Sequence, residues 1–173
     1  AQLAKSYGIG CTVDAEETDR LELSLDIIER VVSHSSLKGS AGFGIVVQSY
    51  QKRTPYTIDY LADLARRIGH KLQVRLVKGA YWDAEIKRAQ VEGLADYPVF
   101  TRKQNTDVSY LACARRMFGY ADALYPMFAT HNAQTIAAIK QIAKGGVYEH
   151  QKLHGMGDDL YAEVIPADRL NVP

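Results

Sequence analysis

Short apolar runs of strand character alternate with stretches of helical periodicity along the chain. The strand-like runs are Ile9–Asp14, Phe43–Gln48, Leu72–Val77, Leu124–Thr130 and Val147–Leu153. Between them, "TIDYLADLARRIG" places Ile58, Leu61, Leu64, Ala65 and Ile68 on one stripe, with Thr57 as N-cap and Gly69 as stop. "TDRLELSLDIIERVV" puts Leu21, Leu25, Ile28 and Val32 on one face. "NAQTIAAIKQIAKGG" predicts a helix that opens at an Asn132 cap, buries Ile136 and Ile139 and stops at Gly145. A weaker helix over 83–94 is capped by Asp83 and supported by an Asp83–Lys87 charge pair. A further helix covers Thr106–Phe118.

Alternating strands and helices imply an α/β fold with a parallel sheet, because parallel neighbours need a crossover. Side-chain parity separates an open sheet from a barrel. In the third run, Leu72, Val74 and Leu76 form one apolar set, while Gln73, Arg75 and Val77 form a mixed one. Phe43, Ile45 and Val47 oppose Gly44, Val46 and Gln48; Ile9, Cys11 and Val13 oppose Gly10, Thr12 and Asp14. In the last run, Glu149, Gln151 and Leu153 share a parity. Each strand thus has an oily side for helices and a second side that turns polar toward its C-terminal end. A sheet covered on both faces wants both sets apolar, whereas a barrel has one lining and a site at its C-terminal rim. The pattern predicts a TIM-like (β/α)8 barrel, of which five βα units are visible, forming one partial domain over residues 1–173.

The 173 residues suffice for one domain with a real core. Apolar residues at 47% and charged ones at 24% are ordinary globular values. A net charge of +1 provides no global field for nucleic acid or an anionic membrane. Cys11 and Cys113 read as buried thiols in a reducing compartment rather than a disulfide. No apolar stretch is long enough to span a bilayer and no signal peptide is visible, so the expected location is cytoplasmic.

Collecting the inward and rim positions gives Asp14, Gln48, Arg75, Lys78, His131, Asn132, Gln151 and His154. Arg75 then points into the barrel and Lys78 sits just past the strand end; the competing reading makes Arg75 and Asp14 a structural ion pair. His131 can equally be a satisfied structural group, and His154 in "LHGMG" part of a simple loop. His34, His70 and His150 read as surface or outward-facing residues. Asp14, Glu16, His131 and His154 match no compact metal-ligand spacing, so no metal is assigned. Tyr81 and Trp82 either plug the top of the core or flank a flat ligand, and Arg75 and Gln48 nearby favour a conjugated heterocycle. GxGxxG, Walker and nucleophile-elbow motifs are absent.

"RLVKGAYWDAEIKRAQ", with "GFGIVVQSYQKR", "DAEETDRLELSLD", "FATHNAQT" and "LHGMG", resembles the proline dehydrogenase domain of bifunctional proline utilization A flavoproteins, from Ala1 to Pro173 and in the family's order. The resemblance implies a distorted (β/α)8 barrel that holds FAD and oxidises L-proline to Δ1-pyrroline-5-carboxylate, with the flavin reoxidised by a membrane quinone. It implies that Arg75 contacts the flavin near N5 and Gln48 the edge of its pyrimidine ring. Val77, Lys78, Gly79, Ala80, Tyr81 and Trp82 would form the loop along the cofactor. Thr130, His131 and Asn132 would hold its ribityl, phosphate or adenosine part, and Gln151 would approach the isoalloxazine. Asp14 would lie at the substrate end, with Ala80 and Leu153 against the proline ring; Arg75 and Asp14 act as electrostatic organisers.

Several parts of the family pattern lie outside the chain. These are an early strand with a carboxylate-binding lysine, a final strand with a tyrosine, and a helix with paired arginines. The 173 residues alone are therefore expected neither to retain FAD tightly nor to turn over proline. Membrane contact is expected only as peripheral association of a parent protein at the inner face of the cell membrane. The open sheet edges make self-association into a homo-oligomer a further expectation. Two rival readings stay open: an aldolase-like barrel using Lys78 as a Schiff-base amine, and a non-catalytic oligomerisation or regulatory module.

Overall fold

The structure, a computed structural model, describes residues 1–168 and 171–172. Five parallel strands, β1 (Cys11–Val13), β2 (Phe43–Gln48), β3 (Leu72–Val77), β4 (Leu124–Ala129) and β5 (Glu149–Gln151), lie side by side in chain order. Seven helices accompany them: α1 (Gln2–Ser6), α2 (Leu21–Val32), α3 (Thr54–Ile68), α4 (Trp82–Val91), α5 (Lys103–Gly119), α6 (Ala133–Ala143) and α7 (Asp158–Asp168). When consecutive strands are neighbours, right-handed crossovers all return over the same face. That one-directional winding is the partial barrel the parity predicted.

The two strand faces differ as barrel walls do. Phe43, Ile45, Val47, Leu72, Val74, Leu76, Leu124 and Phe128 form one core with Ile28 and Val32 of α2, Ile58, Leu61 and Leu64 of α3, Tyr110, Cys113 and Met117 of α5, and Ile139 of α6. On the concave face, register aligns Val46, Arg75, Met127 and Glu149 in one row. Beyond it, Gln48 aligns with Val77, and Ala129 with Gln151. Strand β3 alternates buried and half-buried residues, the half-buried set being Gln73, Arg75 and Val77. Tyr110 ties the sheet from the helix side, its hydroxyl donating to the carbonyls of Leu76 and Ala129 at 3.3 and 3.2 Å.

Local ends depart from the expectations where tertiary contacts decide them. Strands β1 and β5 are shorter than the runs 9–14 and 147–153. Helix α3 starts three residues early, with Pro55 in its first turn, so Thr57 is no cap; its hydroxyl donates to the Arg53 carbonyl at 3.3 Å. Helix α4 is entered from Tyr81, and Asp83 sits inside its first turn, where a carboxylate still favours the helix dipole. No Asp83–Lys87 pair forms among the described residues. Arg88 bonds Glu92 and Asp19 instead. Helix α6 follows expectation, with the Asn132 Oδ1 accepting from the Thr135 amide at 2.9 Å. Both cysteines are free, Cys11 half-buried and Cys113 buried.

His150 corrects another expectation. It faces outward from the barrel, yet it is 0% exposed beneath the aromatic cluster, 5.3 Å from the Tyr148 ring. Burial pushes its imidazole below the usual histidine value of 6.5. The folded state thus favours the neutral ring, so the stability it contributes is complete above about pH 6.5 and is lost as pH falls below it. Urea midpoints taken across that range should fall toward acid in the wild type. The fall should be measurably shallower in His150→Phe.

Candidate active site

The concave row is organised by Arg75. Its side chain is 26% exposed, and its Nη2 lies 3.2 Å from Oδ1 of Asp14, just past the end of β1. The structural ion pair therefore exists. It does not use up the guanidinium, because the buried Nε has no hydrogen-bond partner. An unpaired, desolvated N–H is costly, and a guanidinium can only donate. The exposed part of the guanidinium accordingly suits an acceptor on a ligand.

The loop after β3 is held from several sides. Gln48, 3% exposed, donates from Nε2 to the Glu16 carbonyl at 2.7 Å, and its Oε1 accepts from the Ala80 amide at 3.3 Å. Its amide thus links the loops after β1 and β3 across the end of β2. Tyr81 donates to Glu16 Oε2 at 2.8 Å, and Trp82 donates to the Phe100 carbonyl at 2.9 Å. Trp82 is 41% exposed, so the aromatic pair lines the rim and does not plug the core. Beside it, Tyr50, Lys78, Gly79, Trp82, Thr101 and Thr106 line a groove of about 420 Å³. Gly79 adopts φ +139°, and a Cβ there would lie 2.5 Å from the Tyr50 ring. Only glycine fits.

Lys78 is not a poised amine. Its Nζ lies 2.6 Å from Asp107 Oδ1, and Lys103 bonds the other oxygen at 2.8 Å. Burial works to raise the Asp107 carboxyl, but the hydrogen bonds from Lys103 and Lys78 outweigh it and hold the group below the ordinary carboxylate value. The Asp107 carboxylate occupies the Lys78 nitrogen that Schiff-base chemistry would need free to attack a carbonyl.

The ends of β4 and β5 supply the remaining members. Thr130 is buried, and its Oγ1 accepts from the Asn132 amide at 3.2 Å. His131 Nε2 accepts from the Leu153 amide at 2.9 Å. Gln151 donates to Glu149 Oε1 at 2.6 Å and contacts Met127 Sδ at 3.2 Å. Leu153 is exposed, and His154 lies in the exposed turn after it. Among the described residues no three His, Cys, Asp or Glu side chains converge on a metal position. No described helix is long and apolar enough to cross a membrane.

Sequence reasoning missed four supports of this rim: Glu16, Glu85, Asp107 and Tyr161. Glu85, 2% exposed, accepts from the Thr18 amide and hydroxyl, both at 2.7 Å, and so pins the loop that carries Asp14 and Glu16. A carboxylate within the helical "WDAEIK" reads as solvated surface, and its partner lies 67 residues away.

The sequence profile described as proline dehydrogenase matches residues 1–172. The chain belongs to the proline dehydrogenase family. The bifunctional protein PutA of Klebsiella aerogenes is 58% identical over 167 residues, which cover 94% of this chain and 13% of that protein. The crystal structure of Bradyrhizobium japonicum proline utilization A, mutant D778Y, superposes with a TM-score of 0.96 at 51% identity, covering 99% of this chain and 18% of that one. A structure of proline utilization A with proline bound in remote sites has the same score, identity and coverage. The chain therefore spans less than a fifth of the length of these relatives.

Within this family frame, the Gly79 turn is the tightest constraint on the rim. Gly79→Ala should destabilise by on the order of 2–4 kcal/mol, combining backbone strain with overpacking against Tyr50. Thermal unfolding checks it; a midpoint within 1 °C of wild type would contradict the constraint.

Proposed function

We propose that this chain is the cofactor-holding core of a flavin-dependent proline dehydrogenase, which converts L-proline to Δ1-pyrroline-5-carboxylate. The observation that carries the reading is the Arg75 guanidinium, paired with Asp14 yet 26% exposed, on the lining of a proline dehydrogenase barrel. FAD fits this wall: Arg75 provides a fixed cation and a spare donor, Gly79 brings backbone to the mouth without a side chain, and Trp82 supplies a flat surface over the adjoining groove. Gln48, Arg75, Gln151 and the loop Val77–Trp82 would hold the ring system. Thr130, His131 and Asn132, at the start of α6, would hold the ribityl and phosphate portion.

When bound, the flavin supplies an acceptor for the hydride that leaves the proline δ-carbon. The protein's share is electrostatic and geometric. Arg75 places positive charge where negative charge grows during transfer, and Asp14 keeps that guanidinium aimed. Asp14, Ala80 and Leu153 would border the substrate. The ring nitrogen's proton would pass to solvent.

Rim cations are otherwise engaged: Lys78 with Asp107 and Lys152 with Asp158. The proline carboxylate would then take its cations from outside these residues, and the isolated chain would not turn over proline. A quinone as final electron acceptor, cytoplasmic location and peripheral membrane contact of the whole protein extend the same reading.

The test uses the full-length protein that carries these residues. It should purify with bound flavin that proline bleaches. Arg75→Met should lower proline:dye kcat/KM by on the order of 10²-fold or more. A protein without flavin, or an Arg75→Met variant within twofold of wild type, would sink the reading.

A further inference from the structure

Tyr161, on α7, is 1% exposed and belongs to no motif of the sequence. Its hydroxyl donates to the Thr130 carbonyl at 2.8 Å and lies 3.3 Å from the Gln151 carbonyl. Thr130 directly follows β4, and Gln151 ends β5. The Thr130 amide also donates to the Gln151 carbonyl, at 3.3 Å. One phenolic proton thus bridges two neighbouring strand ends in a three-centre bond. Burial pushes the phenol up to about 12, so it remains a donor at any physiological pH.

The loop before α7 closes on the same corner. The Leu153 amide donates to His131 Nε2 at 2.9 Å, which puts the proton of the neutral imidazole on Nδ1. Gly157 has φ +67°, and a Cβ there would approach the His131 ring to 3.2 Å. The Tyr161 amide donates to the Gly157 carbonyl at 2.9 Å, fastening that loop to the helix. The "LHGMG" turn is therefore a clamp on His131, and Tyr161 anchors both the clamp and the strand ends beneath it.

We propose that Tyr161 is a positioning residue of the flavin site: it fixes the spacing of the β4 and β5 ends, so that His131 presents Nδ1–H and Gln151 its amide to the bound cofactor. This rests on the flavin reading above. Tyr110 makes the corresponding bridge between β3 and β4 from the helix face, so the sheet places a buried tyrosine hydroxyl at each of two successive junctions. Both junctions adjoin residues proposed to hold the cofactor, Val77 and Lys78 at one and His131 and Gln151 at the other.

The experiment compares full-length flavin-loaded protein with Tyr161→Phe, which keeps the ring and removes the bridge, and with Ile139→Val, a core change on α6. Tyr161→Phe should bind FAD about tenfold more weakly, as fits the loss of one buried hydrogen bond, and should shift the visible flavin band. Ile139→Val should lower the thermal midpoint while leaving the FAD Kd within twofold and the band in place. If Tyr161→Phe does not fold, Gly157→Ala decides, since it crowds His131 without touching the hydroxyl and should weaken FAD similarly. A flavin-binding wild type beside a Tyr161→Phe variant of unchanged Kd and spectrum overturns this inference alone. A wild type without flavin overturns the functional reading and this inference with it.

Discussion

A guanidinium on the lining face of a parallel sheet is partly shielded from water and takes partners from the neighbouring strand ends. Arg75 finds one in Asp14 and leaves its Nε without any. Other polar contacts tie together the loops that leave the same strand ends. Gln48 spans the loops on either side of β2, Tyr81 reaches over to Glu16, and Glu85 pins Thr18. These bonds join segments 30–70 residues apart and tie the rim loops to one another. The exposed part of the Arg75 guanidinium is the feature a ligand would complete.

The architecture explains why the cation can sit there. Helices α3, α5 and α6 cover the oily side of the sheet, so the stability of the wall comes from Val74, Leu76, Leu61 and Phe128 and their neighbours. The opposite side is released from that duty and can hold Arg75, Glu149 and Gln151. Fold and site occupy alternate residues of the same strands. The solved structure of Bradyrhizobium japonicum proline utilization A shares this fold over 99% of the chain.

The wall was legible in the sequence because strand parity is a local signal: Leu72, Val74 and Leu76 against Gln73, Arg75 and Val77 needed no partner to be read. The α6 cap was legible for the same reason, since Asn132 and Thr135 are three residues apart. The start of α3 was not, because Pro55 in its first turn outweighed the Thr57 signal. His150 was misplaced because its parity indicates outward, while only the packing of Phe128 and Tyr148 makes outward mean buried. Asp107, Glu85 and Tyr161 went unseen for a common reason. Each works through a partner 20 or more residues away, and no periodicity along the chain encodes that distance. Family resemblance named the residues along the expected cofactor but not those that hold them in place.

The central claim is that the partly exposed Arg75 guanidinium marks where the cofactor completes the wall. A crystal structure of the full-length protein with FAD tests it directly. The account predicts a flavin acceptor atom within hydrogen-bonding distance of the Arg75 guanidinium, with Asp14 still paired to it. A flavin seated elsewhere, with Arg75 facing only protein or solvent, would contradict it.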